Sequence, residues 1–276
     1  MTYRRHFTKI VLILMLFLGV IIALVPIVLT ISTSFKTKPE ITSVPPSFFP
    51  NSFTNFRNYI GVWKRINAGR LLINSLVLSA VVLIVSLVMA PLTGYGFAKY
   101  KFRGKEIAYF AIIGILMVPF QSVAIPLFKW LDKFGLIDTF PGLSLPMLVS
   151  AFGVLLMREA IALIPNDYID AARIDGYSEL SIFFKIIMPM IKASLAALGI
   201  IKFMWTWNEF FWPLLVITTN TKAPITLGLS YLSNMYFKEY NLISAAALLS
   251  LLPLFLIFVV FRKWMISALA GSGLKA

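Results

Sequence analysis

The sequence contains no cysteine and a single histidine, His6. Disulfides, thiol catalysis and thiolate metal sites are therefore excluded, and neither a histidine metal cluster nor a Ser-His-Asp triad has the residues to form around His6 in the basic N-terminal tail. The pattern G-x-x-x-x-G-K-[ST] is absent as well. We therefore expect no enzymatic activity and no bound cofactor in this chain, and expect any ATP to be bound by another polypeptide.

Charged residues are also scarce, at 13% of the chain, whereas 59% of its residues are hydrophobic and the mean hydropathy is +0.88. A single soluble core of 276 residues is too small to hide this much apolar surface, so the excess must face lipid. The net charge of +14 comes from basic residues that stand between long apolar runs. Because they form no water-exposed basic face, a nucleic-acid partner is not predicted.

Much of the sequence consists of long runs of apolar residues. A helix needs about 20 apolar residues to cross about 30 Å of hydrocarbon. Six stretches meet this requirement: residues 10–31, 72–95, 108–127, 143–163, 193–217 and 242–261. The first is longer than a signal-peptide core and no A-x-A site follows it, which indicates an uncleaved helix. The sequence predicts an all-α membrane protein with a single transmembrane domain, residues 1–276, of six transmembrane helices.

The basic residues predict the orientation of these helices. With both termini inside, the inner segments hold Arg4, Arg5, Lys9, Lys99, Lys101, Arg103, Lys105, Arg158, Arg173, Lys185, Lys192, Arg262, Lys263 and Lys275. The short outer loops hold only Lys129, Lys133, Lys222 and Lys238. The positive-inside rule thus predicts a multi-pass membrane protein with both termini in the cytoplasm.

The first outer loop contains an amphipathic stretch. Its aromatic and aliphatic residues recur at helical spacing after Thr54, a residue type that caps helices: Phe53, Phe56, Tyr59, Ile60 and Trp63. Three interpretations remain open for this stretch. It lies on the outer membrane surface, docks an external partner, or packs over the outer ends of the helix bundle.

The loop between the fourth and fifth stretches is too long for a simple connection, and its residues 164–192 are strongly patterned. Asn166 or Asp167 is placed to cap a short helix, and Asp170 lies in its first turn, where the helix dipole favours an acid. Two small residues follow, and Gly176 is suited to the left-handed conformation that ends a helix. Such a helix is shaped to insert into a groove on another protein.

This pattern resembles the EAA loop of ABC importer permeases, E-A-A-x-x-D-G followed by I-x-x-P-x-x-x-P. The matching positions are Ala171, Ala172, Asp175, Gly176, Ile186 and Pro189. Asp170 replaces the usual Glu, Tyr177 the usual Ala, and Ala193 the second Pro. The resemblance implies that Asp170, Ala171, Ala172, Asp175, Gly176 and Pro189 couple the chain to an ATPase.

The rest of the chain is similar to permeases of the maltose and glycerol-phosphate type. The matching segments are Pro45-Pro46, Phe56 to Tyr59, Asn74-Ser75, Tyr100 to Gly104, Trp207 to Phe210 and Trp212 to Leu214. The resemblance implies the fold of a type I ABC importer permease of the bacterial cytoplasmic membrane that moves a sugar, oligosaccharide or polyol. Its implied partners are a second homologous permease, a cytoplasmic ABC ATPase dimer, an extracellular or periplasmic substrate-binding protein and membrane lipid.

One polar stripe in the fifth stretch is a candidate substrate pathway. Apart from Arg158 and Glu159 near the end of the fourth stretch, Glu209 is the only acid and Lys202 the only base inside a stretch, and intramembrane ionisable groups usually face an interior or a water-filled cavity. Trp205 and Trp212 fall on the same helical face, with Asn208 beside it. The alternative is that Lys202 and Glu209 hold the bundle together, as an ion pair or through interhelical hydrogen bonds.

Gln121 is a second candidate, near a polar break between two prolines. It either lines the mouth of the pathway or satisfies carbonyls that proline leaves free. The competing function is an ion-coupled secondary transporter, which predicts inverted halves and ionisable groups on several helices. The sequence contains no such repeat, and one charged pair on one stretch is little material for ion coupling.

Overall fold

The regular elements of the computed structural model, which describes residues 2–45, 47–233 and 239–273, are all helices. The first helices are α1 (Thr2–Phe35), α2 (Lys38–Thr42), α3 (Arg57–Arg65), α4 (Ala68–Lys99), α5 (Lys105–Met117), α6 (Phe120–Lys133), α7 (Phe140–Ser144) and α8 (Ala151–Ala162). They are followed by α9 (Asp167–Ile174), α10 (Glu179–Ile182), α11 (Met188–Met190), α12 (Lys192–Asn208), α13 (Phe211–Val216), α14 (Ile225–Ser230) and α15 (Tyr240–Gly273). Pro46, Lys238 and Lys275, which entered the predictions above, lie outside the described residues.

Three helices are long and apolar enough to cross a bilayer unaided. They contain the segments Val11–Phe35, Ala68–Lys99 and Tyr240–Val259. The chain itself covers very little of the first, since the side chains of its apolar run are exposed. A helix that is apolar on all sides and uncovered needs lipid or another protein around it.

Three further spans are bent pairs of helices, so the described residues hold up to six membrane-crossing segments. The stretch at 108–127 is not one straight helix, because α5 ends before Pro119 and α6 continues at an angle of 103°. Val118 has the extended backbone that a residue before proline prefers (ψ 117°). The pair α7–α8, with a 3₁₀ turn at Leu145–Met147, bends by 42°.

The stretch at 193–217 also differs from a single helix. α12 ends at Asn208, because Glu209 adopts an extended conformation (ψ 126°), and α13 starts again at Phe211. Before α12, the segment Glu179–Met190 includes a π turn at Phe183–Ile187 and meets α12 at 82°. A hydropathy average over a sequence window detects how long an apolar stretch is, but it does not detect breaks in the helix within that stretch.

The chain divides into two compact units. The first comprises residues up to Gly69 together with Gly228–Leu252. In it α3 begins at Arg57 rather than directly after Thr54, whose hydroxyl instead bonds to Ser52 (2.7 Å).

The second unit comprises Arg70–Leu227 and the residues from Pro253 on. Its core joins α4, α8, α12 and the loop at 164–192 through buried side chains that include Tyr95, Met157, Ile161, Ile169 and Phe183. Small residues bring the helix backbones together there. A Cβ built on Gly153 of α8 would lie 3.2 Å from Leu198 of α12 and 3.3 Å from Ala90 of α4, as is common where membrane helices cross closely.

Candidate functional site

The loop at residues 164–192, hereafter the EAA-like loop, is built around α9. Asn166 occupies the N-cap position, but its side chain makes no cap hydrogen bond. Its Oδ1 instead accepts a hydrogen bond from Lys99 Nζ at the end of α4 (3.0 Å). Asn166 therefore has the predicted cap position, but the predicted cap hydrogen bond is absent, and Lys99 binds the side-chain oxygen instead. Asp167 and Asp170 lie in the first turn, where the helix dipole favours acids.

Gly176 ends α9 in a Schellman motif. Its φ is +82°, the left-handed region that glycine enters at no steric cost. Tyr177 N donates to Ala172 O (3.0 Å) and Gly176 N donates to Arg173 O (3.1 Å), which is the bonding pattern of this motif. The two hydrogen bonds satisfy carbonyls that a helix end otherwise leaves unpaired.

The two faces of α9 differ in character. Ile169 and Ala172 are buried in the core of the second unit, at 2% and 4% exposure. Elsewhere on the helix Ile174 is 87% exposed and Tyr168 is 54% exposed, and Ala171 is also exposed. The inner face fixes the helix, and the exposed surface combines these apolar side chains with the charged Asp167, Asp170 and Arg173.

A groove of about 740 Å³ runs beside α9. Three predicted coupling residues line it, namely Ala171, Ala172 and Asp175, and Tyr177 and Lys185 are among the others. The groove lining does not include Asp170, which pairs with Arg173 (3.2 Å), or Pro189, which lies exposed in α11. Gly176 acts through the backbone and likewise does not line the groove.

The carboxylate of Glu179, which was not among the predicted site residues, connects α9 to α4. Arg173 donates from Nε to Glu179 Oε1 (2.7 Å), and this hydrogen bond raises the pKa of Arg173 above its ordinary value. Tyr95 donates its hydroxyl to Glu179 Oε2 (3.2 Å), and Tyr100 donates to the same oxygen. We call these four residues the Glu179 clamp. The two tyrosine partners of Glu179 lie about 80 positions away in sequence, and Glu179 by itself looks like an ordinary first-turn acid after the N-cap Ser178.

A second cavity, of about 330 Å³, lies where α12 ends. Its lining includes Phe120, Ser150, Lys202, Trp205, Thr206, Glu209 and Trp212. Four of the predicted stripe residues are thus brought together. The prediction of one helical face is wrong, however, because α12 stops before Glu209 and Trp212 arrives on a separate helix.

Glu209 also has a structural task in this cavity. Its Oε1 accepts a hydrogen bond from Trp212 N (3.0 Å), which satisfies a free backbone donor at the start of α13. Trp212 is fully buried and donates from Nε1 to Gly142 O (3.2 Å). Lys202 is buried at 6% exposure, and no ion pair joins it to Glu209 among the described residues.

Two predicted pathway residues do not line this cavity. Asn208 is exposed and its Nδ2 donates to Met204 O (2.8 Å) of its own helix. Gln121 is exposed on α6, whereas its neighbour Phe120 lines the cavity and packs edge-on against Trp212 with ring centroids 5.6 Å apart. Only one feature of the sequence pointed to Phe120 as a cavity residue, namely the helix break at Pro119 directly before it.

Comparisons with known proteins agree with this architecture. The chain is 32% identical to the arabinooligosaccharides transport system permease protein AraQ of Halalkalibacterium halodurans, over 92% of each protein. It is 31% identical to the lactose transport system permease protein LacG of Rhizobium radiobacter, over 98% of each. Its fold matches a chain of a bacterial ABC transporter involved in the import of the acidic polysaccharide alginate, with a TM-score of 0.83, 23% identity and coverage of 94% and 96%.

A family model matches residues 83–270, which is more than half of the chain and includes the EAA-like loop and the cavity at the end of α12. This match and the two permeases confirm the resemblance on which the sequence analysis rested, and the structural match confirms the fold class. The chain belongs to the family of binding-protein-dependent transport system inner membrane components.

Proposed function

We propose that this chain is the permease subunit of an ABC importer that moves an oligosaccharide or a related sugar into the cell, driven by a separate ATPase docked on the EAA-like loop. The observation that carries the proposal is the construction of α9. One of its faces is buried in the core, its exposed surface places Tyr168 and Ala171 in the lining of a groove, and its end is fixed by Gly176.

Coupling needs a rigid path from the docked helix to the membrane helices. The Glu179 clamp supplies such a path, since Arg173 of α9 and Tyr95 of α4 bind the same carboxylate. Tyr95 is buried at 4% exposure and packs on Phe183 with ring centroids 5.7 Å apart. When an ATPase moves α9, the clamp moves the end of α4 with it. Two alternating arrangements of the bundle then open the pathway to either side.

The cavity at the end of α12 suits a sugar. Trp205 is half exposed and has an aromatic face, next to Phe152 at a centroid distance of 5.3 Å. Lys202 and Glu209 provide a donor and an acceptor for hydroxyl groups. A few placed polar groups among aromatic walls are typical of small-molecule sites. The relatives named for arabinooligosaccharides and lactose support a carbohydrate substrate.

The proposal includes three kinds of protein partner. A second homologous permease completes the pathway, an ABC ATPase dimer binds at the EAA-like loop, and an extracellular or periplasmic substrate-binding protein delivers the sugar. The family description, which names binding-protein-dependent transport, supports the last of these.

Transport by the assembled importer tests the proposal. The chain is co-expressed with the permease, ATPase and receptor encoded beside it, purified and reconstituted in vesicles with labelled arabinooligosaccharides or lactose as probes. We expect uptake that requires ATP and the receptor and persists when ionophores collapse ion gradients. Uptake that follows an ion gradient without ATP would instead establish the secondary transporter.

The proposed orientation places both termini in the cytoplasm, and the absence of native cysteine makes it simple to test. A cysteine at Tyr177 is expected to react only with reagents that enter the cytoplasm, whereas one at Asn51 reacts from outside. Both native side chains are exposed in the chain itself, and expression without the ATPase leaves the EAA-like loop uncovered, so access depends on sidedness alone. The cysteine-free parent is the control for labelling in whole cells, and the reverse pattern would contradict the orientation.

Glu209→Gln tests the role of charge in the cavity. The glutamine oxygen still accepts the hydrogen bond from Trp212 N, so the start of α13 keeps its partner while the charge is removed. We expect uptake to fall by about tenfold, as for the loss of a charged hydrogen bond to substrate, with normal assembly. Glu209→Ala, which removes both functions, is the comparison. Normal uptake by the glutamine variant would assign Glu209 to structure only.

A further inference from the structure

The short helix α3 is fastened to the C-terminal end of α1. Asn58 Nδ2 donates to Ser34 O (2.7 Å) and to Lys36 O (2.8 Å), two of the carbonyls that the end of α1 leaves without helical partners. Asn58 is buried, and its Oδ1 accepts a hydrogen bond from Asn241 Nδ2 at the start of α15 (2.8 Å). These bonds leave α3 little freedom to rise or sink along α1.

This attachment fixes the depth of α3 in the membrane. The apolar run of α1 ends at Ile31, and Ser34 and Lys36 follow three and five residues later. At 1.5 Å per residue, the attachment lies about 5–8 Å beyond the hydrocarbon part of α1. α3 is therefore held at the boundary between hydrocarbon and lipid headgroups.

At this depth α3 presents an uncovered apolar stripe. Phe56, Ile60 and Trp63 follow the helical spacing i, i+4, i+7 and are 56%, 54% and 52% exposed. The Trp63 ring packs against the chain at Gly69, where an added Cβ would lie 2.8 Å from its Cζ2. A second segment adds to the stripe, since Ser32 Oγ donates to Phe48 O (2.5 Å) and the Phe48 side chain is 73% exposed. Aromatic residues at this level are typical of a membrane interface.

Two cations border the stripe. On the helical wheel Arg57 and Lys64 lie together beside Ile60, on the side away from buried Val62. Both are exposed and form no ion pair in the described part of the chain, whereas Arg65 on another side pairs with Glu239 (2.5 Å). The first turn of α3 contains no acid. Being seven residues apart, Arg57 and Lys64 are separated by about 10 Å along the axis, so each contacts a different headgroup.

We propose that α3 is an interfacial helix that binds anionic phospholipid, with its apolar stripe in the headgroup–acyl boundary and Arg57 and Lys64 each holding a headgroup phosphate. An apolar stripe with basic residues on the adjoining face is the composition of helices that lie in this plane. The binding anchors the end of α1. The apolar run of this helix is the part that the chain itself leaves uncovered.

A probe at position 60 tests where the stripe lies. A bimane label is attached to Ile60→Cys, and to Asn51→Cys in the same loop as the control, in the assembled transporter in nanodiscs of phosphatidylcholine and phosphatidylglycerol. We expect brominated lipid, and not iodide in the water, to quench the label at position 60, with the reverse at position 51. Iodide quenching at position 60 would overturn the proposal. Shielding from both quenchers would also overturn it, because a protein partner would then cover the stripe.

The headgroup contact has its own test in the position-60 sample. Quenching by brominated phosphatidylglycerol is compared with quenching by brominated phosphatidylcholine at equal content. We expect phosphatidylglycerol to be enriched roughly fivefold for each cation. The preference should vanish in Arg57→Gln/Lys64→Gln and persist in Arg57→Lys/Lys64→Arg, which keeps both charges. An unchanged preference in the glutamine variant would contradict the assignment of these two residues.

Discussion

Replacing Gly176 with valine is expected to lower uptake by the assembled transporter roughly tenfold or more while the membrane helices stay folded. The φ of +82° at this position is costly for any residue with a Cβ, and more so for a β-branched one. No heavy atom lies within 4 Å of the Cβ that would be added, so the effect is conformational and not a clash. Relaxing the backbone breaks the two hydrogen bonds that end α9. The exposed residues of α9 are then no longer held in place, and Arg173 no longer lies where it binds Glu179.

The measurements are receptor-stimulated ATP hydrolysis and uptake in vesicles, with assembly followed by size-exclusion chromatography. The cost of a left-handed residue corresponds to a loss of roughly tenfold or more. Gly104→Val is the matched control, because Gly104 also has a positive φ (+80°) and an open Cβ position but lies outside the EAA-like loop. Gly176→Asn should retain most activity, since asparagine tolerates this conformation. If Gly176→Val transports normally, the EAA-like loop is not the coupling element.

Hydropathy was sufficient to predict the fold class, because α1, α4 and α15 are long uninterrupted apolar helices. It was insufficient for the other three spans, where the chain bends within or beside the apolar stretch. Two of these breaks have local signals in the sequence. Pro119 favours extended backbone at Val118, and Pro213 lacks the N–H that would bond to the Glu209 carbonyl four residues earlier in a continuous helix. The hydrogen bond that the Glu209 carboxylate accepts from Trp212 N at this break is a contact that the sequence does not indicate.

The two parts of the site differed in how far sequence could predict them. The EAA-like loop is a local device, so the positions of Asp170, Ala171 and Gly176 in a short helix and its stop follow from neighbouring residues. The Glu179 clamp and the cavity lining depend on contacts between distant segments. Nothing in the sequence around Glu179 indicates Tyr95 and Tyr100 as partners, and Phe120 was overlooked beside Gln121 because a phenylalanine in an apolar stretch is usually core or lipid-facing.

The helices α4 and α8 connect the two parts of the site, and they cross in close contact at Gly94. A Cβ at this position would lie 2.7 Å from Arg158 N and 3.0 Å from Met157 C, both backbone atoms of α8. Backbone in the middle of a helix has no free rotation with which to yield. α8 leads directly into the EAA-like loop, and Met157 belongs to the core that also buries Ile169 of α9. The smallest side chain at Gly94 therefore forces α8 away from α4 and disturbs the seat of α9.

Gly94→Ala is accordingly expected to destabilise the protein by about 1–3 kcal/mol or more, the usual cost of overpacking a close contact. Gly96→Ala is the matched control on the same helix, because nothing lies within 4 Å of the Cβ it would add, and alanine favours a helix over glycine by about 1 kcal/mol. The measurement is the thermal unfolding of both variants in detergent, together with uptake after reconstitution. We expect a lower unfolding temperature and reduced uptake for Gly94→Ala only, with Gly96→Ala at least as stable as the parent. Equal stability of the two variants would mean that α4 and α8 do not cross in backbone contact at Gly94.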